Sequence, residues 1–288
     1  MINSNGFPFG QGGSPAPEKS PNDPFTGARE ALTGFAKTAG RVMRTLLILI
    51  VLLAAWEILA RIGVLDAFLL SCPSRMLESI AALARSGELA LHLATTLWET
   101  IIGFVLGAVL GVGVAVLLWW SDTLNRILDP YLVILGALPK IALGPVLIVW
   151  IGAGMPAIIV MTLLISVIVT TVTALGGFLS VEREKITLLR SFGASKWQTF
   201  TMVVFPGALP TTVSALKLGV SMSWIGVIVG EFLVSRAGLG YLIVYGGQVF
   251  RMDLVMGSTA VLCVCAALMY LLVAAMEKRL NRARAHGG

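Results

Sequence analysis

The sequence predicts an all-α integral membrane protein of about six transmembrane helices, and three observations lead there. Of its 288 residues, 57% are hydrophobic and 12% are charged. The apolar residues fall in runs that approach the ~20 residues a helix needs to cross the bilayer core. The basic residues fall between those runs, mostly on alternate sides. A net charge of +6 distributed in this way follows membrane topology and does not mark a nucleic-acid surface. At this length the chain makes one bundle rather than several soluble domains.

Residues 1–28 are rich in Gly, Pro, Ser and Asn, and read as a disordered cytoplasmic tail rather than a signal peptide. Residues 29–62 carry the first span, with its apolar run at 45–60. Glu57 sits in the last turns of that run, four residues before Arg61, a helical pairing that lowers the cost of a carboxylate near the interface. From 63 to 94, a turn at Cys72-Pro73-Ser74 and the punctuation by Arg75, Glu78, Arg85, Glu88 and His92 predict an amphipathic segment near the outer surface.

Residues 95–276 form the main bundle. Its second span, 95–119, carries Gly103, Gly107 and Gly111 four apart, which lets another helix approach closely, and Trp119-Trp120 ends it as an interfacial anchor. A polar turn at 121–129 leads into the least regular stretch, 131–152, which Pro130, Pro139 and Gly144-Pro145 disturb. Broken helices at membrane depth border a cavity or other protein. After a turn at 152–156, further spans follow at 157–178, 211–232 and 254–276, with a polar segment at 234–253 and a basic cytoplasmic tail at 277–288. Cys72, Cys263 and Cys265 form no disulfide framework or zinc spacing, and the last two are packing residues on different helix faces.

One long polar interruption, 179–206, divides the spans and reads as two short helices around a tight turn. Ser180 caps the first, whose opening turn holds Glu182 and Glu184 at the positive end of the helix dipole. Gly193 closes that helix in a left-handed conformation, Ser195 and Gln198 form a capping box for the second, and Pro206 breaks the pattern. A capped basic hairpin is more than a connection needs, so the segment is a candidate docking element; the alternative is an amphipathic hairpin lying on anionic headgroups.

With both termini inside, Lys19, Arg29, Lys37, Arg41, Arg44, Arg126, Arg183, Lys185, Arg190, Lys196, Lys278, Arg279, Arg282 and Arg284 fall on the inner side. The outer side receives Arg61, Arg75, Arg85, Arg236 and Arg251. This asymmetry puts the hairpin in the cytoplasm. Three ionisable side chains are candidates for a translocation path. Lys140 accompanies the helix breaks, either as a cation that attracts an anionic solute or as a structural partner. Lys217 lies about two turns from the inner end of its span, where snorkelling accounts for it. Glu231 is about 21 Å further along the helix, with pairing to Arg236 and sealing of an outer gate as its two alternatives.

The run Gly193, nine residues, then Val203-Val204-Phe205-Pro206 resembles the EAA loop of permease subunits in bacterial ABC importers, patterned Glu-Ala-Ala, three residues, Gly, nine residues, Ile-x-Leu-Pro. The namesake triplet is replaced here by Thr187-Leu188-Leu189. Resemblance to the nitrate, sulfonate and taurine branch extends over about 56–253, through Trp56-Glu57-Ile58-Leu59-Ala60-Arg61, Ser86-Gly87-Glu88-Leu89, Ala137-Leu138-Pro139, Ser191-Phe192-Gly193-Ala194-Ser195-Lys196-Trp197, Trp224-Ile225-Gly226 and Gly238-Leu239-Gly240-Tyr241-Leu242-Ile243. It implies a type I importer fold in the bacterial inner membrane. It also implies two ATPase subunits that bind the ATP, an extracytoplasmic solute-binding protein, and a second permease copy. The hairpin would then dock on the ATPase, with Gly193, Ala194, Ser195, Trp197 and Pro206 building the surface and Arg190 and Lys196 making ionic contacts.

The chain's own chemistry is sparse. It has no phosphate-cradling G-x-x-x-x-G-K-S/T run, only His92 and His286 as histidines, and no recognisable nucleophile, base and orienter. The expectation is a transport subunit without catalysis, metal or cofactor of its own. The solute expected from the resemblance is a small anion of the nitrate, sulfonate or taurine kind, with a thiamine precursor or riboflavin-like molecule as alternative. An ion-coupled secondary transporter or channel is the competing class, and it calls for repeated halves or a charge relay.

Overall fold

A computed structural model of the chain describes residues 26–285, so most of the expected N-terminal tail lies outside the described residues. The chain divides into two units, Met1–Ala55 and Trp56–Gly288. The first contributes most of helix α1 (Thr26–Arg61), whose stretch Met43–Arg61 is long and apolar enough to cross a membrane.

The second unit begins with the last turns of α1. There Arg61 Nε donates to Glu57 Oε1 at 2.7 Å, the expected pairing. Glu57 also accepts from Ser74 N at 3.0 Å and Ser74 Oγ at 2.8 Å, which ties α1 to the start of α3. A one-turn helix α2 (Ala67–Leu70) precedes α3 (Pro73–Ser86), with Cys72 at the N-cap position and Pro73 in the first turn, where its missing N–H is not needed. Gly87 then turns the chain, and α4 (Glu88–Trp120) starts earlier than the expected span at 95. Glu88 and His92 therefore belong to that span and not to an outer amphipathic segment.

Two expected interruptions are absent. The turn at 121–129 is helical: Ser121 Oγ accepts from Leu124 N at 3.2 Å and starts α5 (Asp122–Ala137), which carries Pro130 at the loss of one backbone bond. Pro139 does break the chain. Leu138 before it is extended, as the proline ring requires, and a short 3-10 turn Lys140–Leu143 leads into α6 (Gly144–Ile151) at 84° to α5.

The core is a slab of three long helices, α4, α7 (Met155–Leu179) and α10 (Phe205–Val234), in which α7 packs against both others. The glycine face of α4 meets α7, as its spacing predicts: a Cβ on Gly103 would fall 2.5 Å from Thr162 Cγ2, and one on Gly111 2.7 Å from Thr170 Cβ. From the other side, a Cβ on Gly226 of α10 would stand 2.5 Å from Thr162 Cα, which is backbone and cannot yield. Two hydroxyls on this face donate within their own helix, Thr162 to Ile158 O and Ser166 to Thr162 O, each at 2.8 Å, while Thr171 donates across to Gly111 O at 3.0 Å. These bonds let small polar residues sit in an apolar slab.

The hairpin contains α8 (Arg183–Ser191) and α9 (Lys196–Thr199). Beyond α10, α11 (Leu239–Gln248) and α12 (Met252–Ala285) complete the fold, the helix of α12 running through the expected basic tail. Leu239 and Leu242 of α11 join Val220, Trp224, Leu254 and Leu262 in a second apolar cluster. Cys265 packs against that cluster, whereas Cys263 faces outward. Among the described residues, five helices are long and apolar enough to span a membrane, or six if the bent pair α5–α6 counts as one.

Candidate functional site

The hairpin forms as its sequence dictates, with three corrections. Gly193 has φ 83 and ends α8: Gly193 N bonds Arg190 O at 2.9 Å and Ala194 N bonds Leu189 O at 3.2 Å, which satisfies the last carbonyls. The capping box is complete, with Gln198 N donating to Ser195 Oγ at 3.2 Å and Ser195 N to Gln198 Oε1 at 2.8 Å. Ser180, by contrast, does not cap α8. Its hydroxyl donates back to Gly177 O at 2.8 Å and closes α7, leaving Glu182 at the N-cap position.

Lys196 is the second correction. Its ammonium turns back on its own chain, donating to Trp120 O at 2.5 Å and lying 5.8 Å from the centres of both the Trp119 and Trp120 rings. A cation at the carbonyl end of α4, over two indoles, is doubly favoured and clamps the start of α9 to α4. Trp119 is accordingly no interfacial anchor. It is buried against Phe200, ring centres 4.9 Å apart, in a cluster with Phe178 and Val204.

Pro206 gives the third. Residues Phe200–Val204 form a π turn, Phe205 N bonds Phe200 O, and Pro206 falls in the first turn of the renewed α-helix. The widened turn shifts the bonding register, so the ring ends no helix and α9, the π turn and α10 run on as one apolar helix, Lys196–Val234, of 39 residues. Arg190 and Ser195 remain exposed, Ala194 half so. Around the turn, Leu188, Phe192 and Trp197 are left 56%, 80% and 60% exposed. Three large apolar side chains on an otherwise polar hairpin mark a contact surface, to which the sequence reading contributes Trp197 alone.

The far end of that helix carries Glu231, about 52 Å from Lys196 at 1.5 Å per residue. Its side chain is 1% exposed. It accepts from Thr96 Oγ1 at 2.7 Å and Gly240 N at 2.5 Å, and Glu99, itself buried on α4, lies nearby. Thr96 Oγ1 takes Leu239 N at 2.7 Å, and His92 Nδ1 takes Gly238 N at 3.0 Å, so two side chains of α4 bind the first amides of α11. Gly238, at φ 117, and Gly240 leave the space: a Cβ on Gly240 would stand 2.7 Å from Glu231 Oε2. Among the described residues Glu231 therefore pairs neither with Arg236 nor with any other cation, and a hydroxyl and a backbone amide serve it instead, because a buried carboxylate without donors is costly. Glu99 and Thr96 are absent from the sequence reading, which takes His92 only as part of an outer amphipathic pattern, although a carboxylate in mid-span is itself a signal.

Of the other two path candidates, Lys217 forms an ion pair with Glu277 of α12. Lys140 Nζ donates to Gly136 O at 2.9 Å and so caps the end of α5 across the break. The three share no partner. Among the described residues, no three His, Cys, Asp or Glu side chains gather as a metal site.

Known proteins resemble this arrangement over most of its length. The taurine transport system permease protein TauC of Escherichia coli is 28% identical over 238 residues, covering 81% of this chain and 86% of TauC. The formylaminopyrimidine transport permease protein ThiX of Halalkalibacterium halodurans is 32% identical over 206 residues, covering 71% and 81%. Among solved structures, the inward-facing MetNI methionine ABC transporter shares the fold, with a TM-score of 0.55 at 22% identity over 65% of this chain and 92% of that one. The family described as binding-protein-dependent transport system inner membrane component matches residues 103–286. That match covers well over half of the sequence, and the chain belongs to this family of ABC transporter permeases.

Proposed function

We propose that the chain is the transmembrane subunit of an ATP-driven importer, and that its hairpin receives the stroke of a separate ATPase. The observation that carries this reading is the exposed apolar set Leu188, Phe192 and Trp197 on a rigidly capped hairpin continuous with a 39-residue helix. Arg190 lies at its edge as an ionic contact, while Gly193, Ala194 and Ser195 shape the turn. Lys196 acts inward, so that a push on α9 also moves α4. ATP binding drives the change only by stabilising one of two states more than the other. Closure of two ATPases against two copies of this chain moves the helix and switches the central path from inward-open to outward-open. The basic residues at the inner side set the orientation, with both termini and the hairpin in the cytoplasm and the solute-binding protein on the other face.

The solute is a small anion or zwitterion of the sulfonate and taurine kind. The similarly close permease named for formylaminopyrimidine favours a second reading in which the same machine imports a thiamine precursor. Reconstitution with the ATPase and the binding protein tests the proposal. Uptake should require ATP and should vanish in Gly193→Pro, because proline cannot adopt φ 83, with membrane insertion unchanged. Uptake by the permease without any ATPase would instead make it a secondary transporter.

A further inference from the structure

A cleft of about 400 Å³ lies between α3 and the α11–α12 corner, within the ~300–1,000 Å³ range of small-molecule sites. Arg75, Glu78, Ser79 and Ala82 occupy one face of α3 at helical spacing, and Arg251 and Asp253 stand opposite. Asp253 Oδ2 accepts from Arg251 at 2.9 Å and Ser79 Oγ lies 3.5 Å from the same nitrogen, so this guanidinium is held in place by the protein itself. Arg75 and Glu78 are exposed and make no ion pair among the described residues. The rim carries Phe68 and Phe250, stacked with ring centres 6.2 Å apart.

Two further observations single this cleft out. Ser71 lines it with a buried hydroxyl, 1% exposed as a residue, that has no hydrogen-bond partner. Ser71 and Phe250, at φ 54 and φ 56, are also the only two non-glycine residues with positive φ among those described. Backbone strain of this kind collects at ligand sites, where the surroundings hold it for a purpose.

We infer that the cleft binds a short aminoalkyl anion, a tetrahedral or planar anionic group a few bonds from an ammonium. Arg251, preset by Asp253 and Ser79, and Arg75 take the anion through charge-assisted bonds. Glu78 takes the ammonium, the Ser71 hydroxyl gains its missing partner, and Phe68 and Phe250 cover the alkyl link. A free aminosulfonate has this chemistry, and so does the headgroup of phosphatidylethanolamine. The inference rests on the proposed function only for the side of the membrane the cleft faces.

The test uses Ala82→Cys in the full chain carrying Cys263→Ser, purified into phosphatidylcholine nanodiscs that expose both faces. A maleimide reports access to the cleft. Taurine near ten times its Kd should slow labelling about tenfold, following simple occupancy. Ethanesulfonate, which lacks the ammonium, should protect far less. Arg75→Gln and Glu78→Gln, both exposed substitutions, should each remove the protection. Protection by added phosphatidylethanolamine without taurine would identify a lipid headgroup as the source of the same chemistry. Absence of protection by either, or protection that survives Arg75→Gln, would overturn the site. Uptake measured separately with the ATPase would stand in that case, and the permease reading with it.

Discussion

The two ends of the Lys196–Val234 helix are finished in opposite ways. At the Lys196 end, polar groups close the backbone and apolar groups stay outside: Ser195 and Gln198 cap each other, Lys196 grips α4, and Phe192 and Trp197 are exposed. At the Glu231 end it is a polar group that lies inside, where the carboxylate meets a hydroxyl and an amide of its own chain. An end whose polar groups are satisfied and whose apolar groups are not is waiting for a surface. An end whose buried charge is answered internally is complete, and it fixes the corner between α10 and α11. The helix is about 58 Å long, against a hydrocarbon core of ~30 Å, so it carries an unfinished end well beyond the lipid.

The largest effect expected from this contrast is at the finished end. Glu231→Ala should destabilise the protein by about 3–5 kcal/mol, because it strands Thr96 and the Gly240 amide together in a buried site, and thermal unfolding in detergent would read it. Glu231→Gln, which still accepts hydrogen bonds, should lose less than half of that. Equal losses would mean that shape rather than polarity holds the corner.

At the unfinished end the order reverses. Leu188→Ser with Phe192→Ser should leave unfolding within about 0.5 kcal/mol of the parent, yet weaken binding of the ATPase at least tenfold, about 1.4 kcal/mol. A loss of stability without a loss of binding would show that the exposed face serves the fold. The smallest expected change is Lys196→Met, about 1 kcal/mol from the lost contacts to α4. Its signature is functional: ATP hydrolysis should continue while uptake falls, since the push would no longer reach α4.

Much of this was legible in the sequence wherever the signal is local. The Gly193 turn, the Ser195–Gln198 box and the Glu57–Arg61 pair each involve residues within five positions, and each formed as read. Prolines divided the outcome. Pro139 breaks the chain and Pro206 does not, because a π turn can absorb the missing bond, and nothing in the residue itself distinguishes the two. The site at Glu231 was half visible. Its acid stood out in the span, but Thr96 is 135 residues away, and the choice of backbone amides over Arg236 depends on Gly238 and Gly240 folding back onto α10. Lys196 looked like a surface cation for the same reason, its partner Trp120 being 76 residues distant.

The self-bonded hydroxyls of the three-helix slab bear on how the chain is made. Thr100, Thr162, Ser166, Thr212 and Ser223 each donate to the carbonyl four residues back on their own helix. These five hydroxyls are therefore satisfied as soon as their own span has formed, before any neighbour has been synthesised. Glu99 has no such provision. Its neighbour Glu231 emerges more than a hundred residues later, on the order of 10 s at ribosomal rates, and for that interval the carboxyl group lies in its span without the surroundings that the fold gives it. Assembly of α10 against α4 then ends a wait that begins at the second span.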